Sequence, residues 1–157
     1  MKSLPINMVI IPCHTTHARL KEIQEKSPFP ILNMVEVVIN HLREEKTKQI
    51  GILATDGTIN EKTYKDVGST NFIIPEKNRQ EKIMNTIYRI KAGERIKNKD
   101  FKILTNTFRK KGINTLLLAC TELSIYLKEF SNLGFKICDP LRIVARHLVG
   151  MNVKQIR

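Results

Sequence analysis

The chain has 157 residues, 41% apolar and 27% charged, which is about one domain's worth of sequence with enough apolar content to bury a core. No apolar run approaches the ~20 residues of a membrane span, and no small-residue cleavage site follows the short apolar run near the N-terminus, so neither a membrane segment nor a signal peptide is expected. The formal charge of +12 is spread over several segments, Trp is absent and aromatics make up 6%; a lysine-rich solvated exterior accounts for this better than a base-stacking nucleic-acid surface, and it would help to collect an acidic substrate.

In chain order, Asn7 to Ile11 reads as a first strand. Met34, Val38 and Leu42 give the apolar stripe of a helix ending near Glu45. Gln49 to Ala54 and Phe72 to Pro75 read as the next strands. After a polar start at Arg79-Gln80-Glu81, the recurrence of Ile83, Met84, Ile87 and Ile90 predicts a helix. Phe101, Leu104 and Phe108 predict another, with Asn98 as N-cap and Gly112 as its stop. Asn114 to Ala119 and Phe135 to Cys138 complete the strands, and a last helix runs from Leu141 to Val149. QIGILA and NTLLLA are apolar throughout, as parallel strands covered on both faces require. The fold class is therefore α/β, with parallel sheets and flanking helices.

Ligands of such folds bind beyond the carboxyl ends of the strands. Three strand ends carry polar clusters: CHTTH after the first, ATDGT after QIGIL, and CTELS after NTLLLA. Cys13 and Cys120 thus stand at helix N-termini, where free N–H groups lower a thiol's pKa and attract anions. A strand-end cysteine is also an ordinary small core residue. Cys138 precedes Asp139, whose carboxylate would raise the thiol's pKa, and it reads as structural. Three widely separated cysteines form no disulfide framework and fit a reducing cytoplasm. Two thiols facing one cleft could move a proton from one face of a carbon to the other. Thr55, Thr58 and Gly57 supply hydroxyls and a close backbone approach, although ATDGT alone is also an ordinary Asp-Gly turn.

PCHTTH, GILATDGT and LLLACTELS, in this order, resemble the motifs of the aspartate/glutamate racemase family, whose members show PCNTxH, G-L-A-T-x-G-T and G-C-T-E-L. The resemblance implies two α/β domains facing across a cleft, an amino-acid substrate, and two-cysteine chemistry without pyridoxal phosphate or metal. It implies Cys13 and Cys120 as paired bases. Thr15, Thr58 and Thr121 would hold the α-carboxylate with His14 and Thr55 beside them, and Lys91 in YRIKAGE would meet the side-chain carboxylate. Lys91 read by itself is equally a solvated lysine. His17 and Glu122 resemble the aspartate branch.

Two departures qualify the resemblance. His14 stands where the family has Asn, and the Gly-rich opening strand that precedes the first motif in full-length relatives has no counterpart here. Residues 1–47 are then expected to be the end of a first domain, 48–139 a second domain, and 140–157 a helix returning to the first. Such an arrangement would leave a sheet edge and apolar surface open, which favours a homodimer. Three rival readings stand beside racemisation: a related decarboxylase, maleate isomerase or hydantoin racemase; an inactive relative that only binds a ligand or partner; and a salt-sensitive nucleic-acid binder.

Overall fold

A computed structural model describes residues 6–64 and 70–155. Two short helices come first, α1 (His14–His17) and α2 (Leu20–Lys26), followed by α3 (Met34–Glu44). Strand β1 (Gln49–Ala54) leads through α4 (Asp56–Asn60) to β2 (Asn71–Ile73). Helices α5 (Lys77–Lys91) and α6 (Asn98–Lys110) then cross to β3 (Thr115–Ala119). Helices α7 (Thr121–Ser124) and α8 (Leu127–Asn132) precede β4 (Lys136–Cys138), and α9 (Pro140–Gln155) closes the order.

The four strands form one parallel sheet in the order β2-β1-β3-β4. Both faces are covered, as the unbroken apolar runs predict. On one face Ile50, Ile52 and Ala54 of β1 join Leu117 and Ala119 of β3 under Met34, Val38 and Leu42 of α3 and Ile143 and Val144 of α9. On the other, Leu53, Leu116 and Leu118 meet Ile83 and Ile87 of α5, Phe101, Leu104 and Phe108 of α6, and Phe130 of α8. The strand period of two therefore sends alternate apolar residues into two different cores. Gly51 is dictated by this packing, because a Cβ there would lie 2.5 Å from the Phe108 ring and 2.9 Å from Leu116.

Several sequence expectations shift. Asn7 to Ile11 is not a strand of the sheet; among the described residues only Val9 pairs, in parallel, with Ile31. Its N–H donates to Pro30 O and its carbonyl accepts from Leu32 N–H, both at 2.9 Å. That partner run is cut short by Pro30, which has no N–H to extend the ladder, and by Asn33, whose side chain accepts from Glu36 N–H to start α3. β2 ends at Ile73 rather than Pro75, again where a proline removes the donor. Asn98 lies inside α6 rather than capping it. Lys97 is the cap, because the Asp100 carboxylate three residues on accepts from Lys97 N–H at 3.1 Å. Gly112, at φ +70°, ends α6 as expected, with Ile113 N–H reaching back to Phe108 O at 2.9 Å. The last helix starts at Pro140, earlier than predicted, and runs past Gly150 to Gln155 while packing on α3.

Candidate active site

The sheet's connections leave in opposite directions from β1 and β3, since β1 feeds outward to β2 and β3 outward to β4. The switch point therefore lies between the paired ends Ala54 and Ala119. The next residues are Thr55 and Cys120. A cavity of about 280 Å³ opens there, lined by Pro12, Cys13, His14, Thr15, Thr55, Lys91, Ala119, Cys120, Thr121 and Glu122. Seven of the eight predicted site residues thus meet at one place. The eighth, Thr58, sits directly behind them in hydrogen-bond contact with Thr15 and Thr55. A wider groove of about 690 Å³ along Thr15, Arg19 and Glu22 contains neither cysteine.

Thr15, Thr55 and Thr58 form a triangle of hydroxyls, with Oγ1 separations of 2.9, 3.0 and 3.0 Å. Thr55 caps α4 by accepting from Thr58 N–H at 3.3 Å, which fixes one side of the triangle. Gly57 fixes the other by leaving room for Thr15, since a Cβ would meet Thr15 Cγ2 at 2.7 Å. Three hydroxyls carry three protons, and a closed ring uses all of them, so an anion that accepts one must open an edge.

The two cysteines are unlike. Cys13 is exposed and N-caps α1 in extended conformation. Cys120 is only 6% exposed, and its thiol donates to Glu122 Oε2 at 2.9 Å. Thr121 Oγ1 donates to the same oxygen at 3.2 Å, while Lys91 Nζ lies 3.4 Å from Glu122 Oε1. Burial pushes the Cys120 thiol up to about 12, and the hydrogen bond to Glu122 and its negative charge add to the rise; Lys91 pulls weakly the other way. The expected lowering at a helix N-terminus is reversed at Cys120, because α7 has only four residues and one turn carries too little dipole to offset burial. Burial also raises the carboxyl of Glu122, but the Cys120 thiol, its own backbone N–H and Lys91 together hold it below the usual range. Lys91 is therefore already paired with Glu122, a role that its sequence position alone did not reveal. Cys138 is buried, and desolvation first and Asp139 second push it up to about 12, in keeping with a structural residue.

The histidines divide the work of holding this edge. His17 Nδ1–H donates to Cys13 O at 2.8 Å and its Nε2 accepts from Met34 N–H at 3.2 Å, which ties α1 to the start of α3. His14 is 2% exposed, and its Nδ1 lies 2.7 Å from the hydroxyl of Tyr64, a residue not singled out from sequence. Burial, and then the proximity of His17, bring His14 down to about 4, so it is neutral near pH 7. Among the described residues no group of three or more His, Cys, Asp or Glu side chains is placed to hold a metal, and no helix is long and apolar enough to cross a membrane.

Comparison with known proteins places this geometry. The family described as Asp/Glu/Hydantoin racemase matches residues 1–148. A glutamate racemase of Aquifex aeolicus is 24% identical over 152 residues, which cover 94% of this chain and 59% of that protein. The glutamate racemase of Buchnera aphidicola is 32% identical over 149 residues, covering 86% and 53%. In fold, the chain is similar to the Picrophilus torridus aspartate racemase, with a TM-score of 0.75 at 24% identity over 88% of this chain and 59% of that one. It is also similar to an aspartate racemase homologue from Pyrococcus horikoshii, with a TM-score of 0.74 at 18% identity over 92% and 66%. The chain spans about half the length of the curated glutamate racemases it matches, from 46% to 59%. On the match over residues 1–148, this chain belongs to the Asp/Glu/hydantoin racemase family.

Proposed function

We propose that the chain carries the catalytic apparatus of a cofactor-independent amino-acid racemase acting on an acidic amino acid. The observation that supports this most is that Cys13 and Cys120, far apart in sequence, line one cavity. On this reading one thiolate removes the α-proton, and the carbanion takes a proton from the opposite thiol on its other face. The C–H bond broken is replaced by one formed with inverted geometry, and the negative charge passes from one sulfur to the other. Cys120, held protonated by burial and Glu122, is the proton donor of the resting site, and Cys13, exposed, is the base. His14, Thr15, Thr55, Thr58 and Thr121 form the polar wall against which the α-carboxylate lies. Lys91 reaches a side-chain carboxylate by exchanging its Glu122 partner for the substrate.

The presence of His17 and Glu122 favours aspartate over glutamate. Residues 1–47, 48–139 and 140–157 are read as the end of one unit, a second unit and a returning helix. The exposed Ile6 and Ile10, on a segment that among the described residues pairs through Val9 alone, suit burial in a homodimer, which light scattering would detect. Three free thiols suit the cytoplasm.

The test is incubation with L-aspartate and L-glutamate in deuterated buffer, followed by chiral separation and NMR of the α-proton. Cys13→Ser and Cys120→Ser are each expected to abolish racemisation while retaining one-sided α-proton exchange. Full activity in either variant refutes the two-base assignment. Binding without any exchange would make this a ligand-binding relative.

A further inference from the structure

We infer that Tyr64 locks His14 into its Nε2–H tautomer, so that residue 14 presents a donor-only edge to the cavity and selects an acceptor oxygen of the ligand against its ammonium group. The argument starts from a count of protons. Tyr64 and His14 are both buried, and their contact at 2.7 Å holds one hydrogen. His14 Nε2 is buried with no hydrogen-bond partner among the described residues. If His14 donated from Nδ1, the Tyr64 proton and the Nε2 lone pair would both be left without a partner among the described residues. If Tyr64 donates to Nδ1, only Nε2–H is left over. The second arrangement strands one group instead of two, and each stranded buried group costs about 1–3 kcal/mol.

The surroundings keep the pair neutral and still. Burial holds the Tyr64 phenol well above its ordinary 10.0, so it remains a donor, and His14 stays uncharged until about pH 4. The Tyr64 ring is packed between His14, with centroids 5.7 Å apart, and Phe72 at 5.4 Å. Tyr64 does not line the cavity, whereas His14 does. Since the two ring nitrogens direct their bonds nearly opposite ways, a ring that turns Nδ1 to Tyr64 turns Nε2 away from Tyr64, and of the pair it is His14 that lines the cavity.

An asparagine at this position offers an acceptor and donors together, and so can meet a carboxylate or an ammonium. The locked imidazole can only donate. A ligand group set against it must therefore carry a lone pair, as a carboxylate oxygen does. Tyr64 acts here as a positioning residue, through the tautomer it imposes. The inference rests on the proposed racemase function only in taking the ligand to be an acidic amino acid.

Long-range ¹H–¹⁵N correlation on ¹⁵N-histidine-labelled protein reads the tautomer directly, and titration with succinate and with 1,4-diaminobutane separates oxygen acceptors from ammonium groups. His14 is expected as the Nε2–H form in the wild type and as a tautomer mixture in Tyr64→Phe. Succinate should shift the Nε2 resonance while 1,4-diaminobutane leaves it in place. His14→Phe should weaken succinate binding about tenfold or more, the loss of a hydrogen bond to a charged group, and His14→Asn should restore it to within a few-fold. An Nδ1–H form in the wild type overturns the inference, as does succinate that fails to bind or binds without moving Nε2. The outcomes separate from those of the racemase test. An Nε2–H form that responds to succinate in a protein without α-proton exchange sinks the racemase reading alone. Racemisation by a protein with the Nδ1–H form sinks this inference alone.

Discussion

Replacing Glu122 by Gln isolates the control that the carboxylate exerts on Cys120. The thiol stands at about 12 against an ordinary 9.0, with burial as the largest cause and the Glu122 hydrogen bond and charge following. Glutamine keeps the shape and an acceptor oxygen at 2.9 Å but removes the charge, and it releases Lys91 from its pair. Because burial remains, the pKa should fall only part of the way, by roughly one to two pH units at about 1.36 kcal/mol each. The thiolate fraction at pH 8 then rises about 10- to 100-fold, while intrinsic nucleophilicity falls with a Brønsted slope of about 0.4–0.5. The net gain in alkylation rate is about fourfold to twelvefold. Iodoacetamide labelling from pH 7 to 10 in a Cys13→Ser background, with Cys120 and Cys138 resolved as separate peptides, measures it. An unchanged rate would mean that burial alone sets the thiol. A slower rate would mean that Glu122 draws the proton away from sulfur, and would refute the assignment of Cys120 as a carboxylate-restrained acid.

Further outcomes follow from packing and titration. Gly51→Ala should cost about 1–3 kcal/mol or more in urea unfolding, because its Cβ would fall 2.5 Å from the Phe108 ring; a neutral substitution would show that this core is loose. Gly57→Ala should cost less stability but weaken succinate binding, since the clash is with Thr15 Cγ2 at 2.7 Å and opens the hydroxyl triangle. Unaltered binding would remove the triangle from the ligand site. His14 titrates near 4 when folded against 6.5 unfolded, so the unfolded chain binds the extra proton and stability falls as pH drops from 6.5 through about 4. The loss reaches about 3 kcal/mol at about 1.36 kcal/mol per pH unit. His14→Asn should flatten this acid limb in pH-dependent thermal unfolding, and an identical limb in the variant would place the titration elsewhere.

Chain-local features carried much of the fold in legible form. QIGILA and NTLLLA are apolar at every position, and they became β1 and β3, the two central strands, because only strands buried on both faces tolerate such runs. The spacing of Ile83 and Ile87, and of Phe101, Leu104 and Phe108, marked helix faces that do enter the core. Gly112 announced the end of α6, since a left-handed residue there is a local backbone requirement. The first strand misread for an equally physical reason: an apolar run makes a strand only if a neighbour offers its donors, and Pro30 and the Asn33 cap limit that neighbour to one bridge.

By itself, the sequence determined which residue types follow the apolar runs, and therefore that Cys13, Thr55 and Cys120 were candidates for a site at the carboxyl edge of the sheet. Strand and helix periods are written in consecutive residues, and so is the polar cluster that follows each apolar run. Only the tertiary structure decided what those residues are chemically. Cys120 was expected to be acidic and is instead held protonated, because desolvation and a carboxylate two residues away outweigh a single helical turn. Lys91 was free to be a substrate ligand or a solvated lysine, and its pairing with Glu122 depends on where α5 ends over the cavity. Tyr64 carried no signal at all, since its bond to His14 joins residues fifty positions apart. Burial and hydrogen-bond partners are properties of neighbours in space, and these were set by the packing of the sheet and its two helical layers.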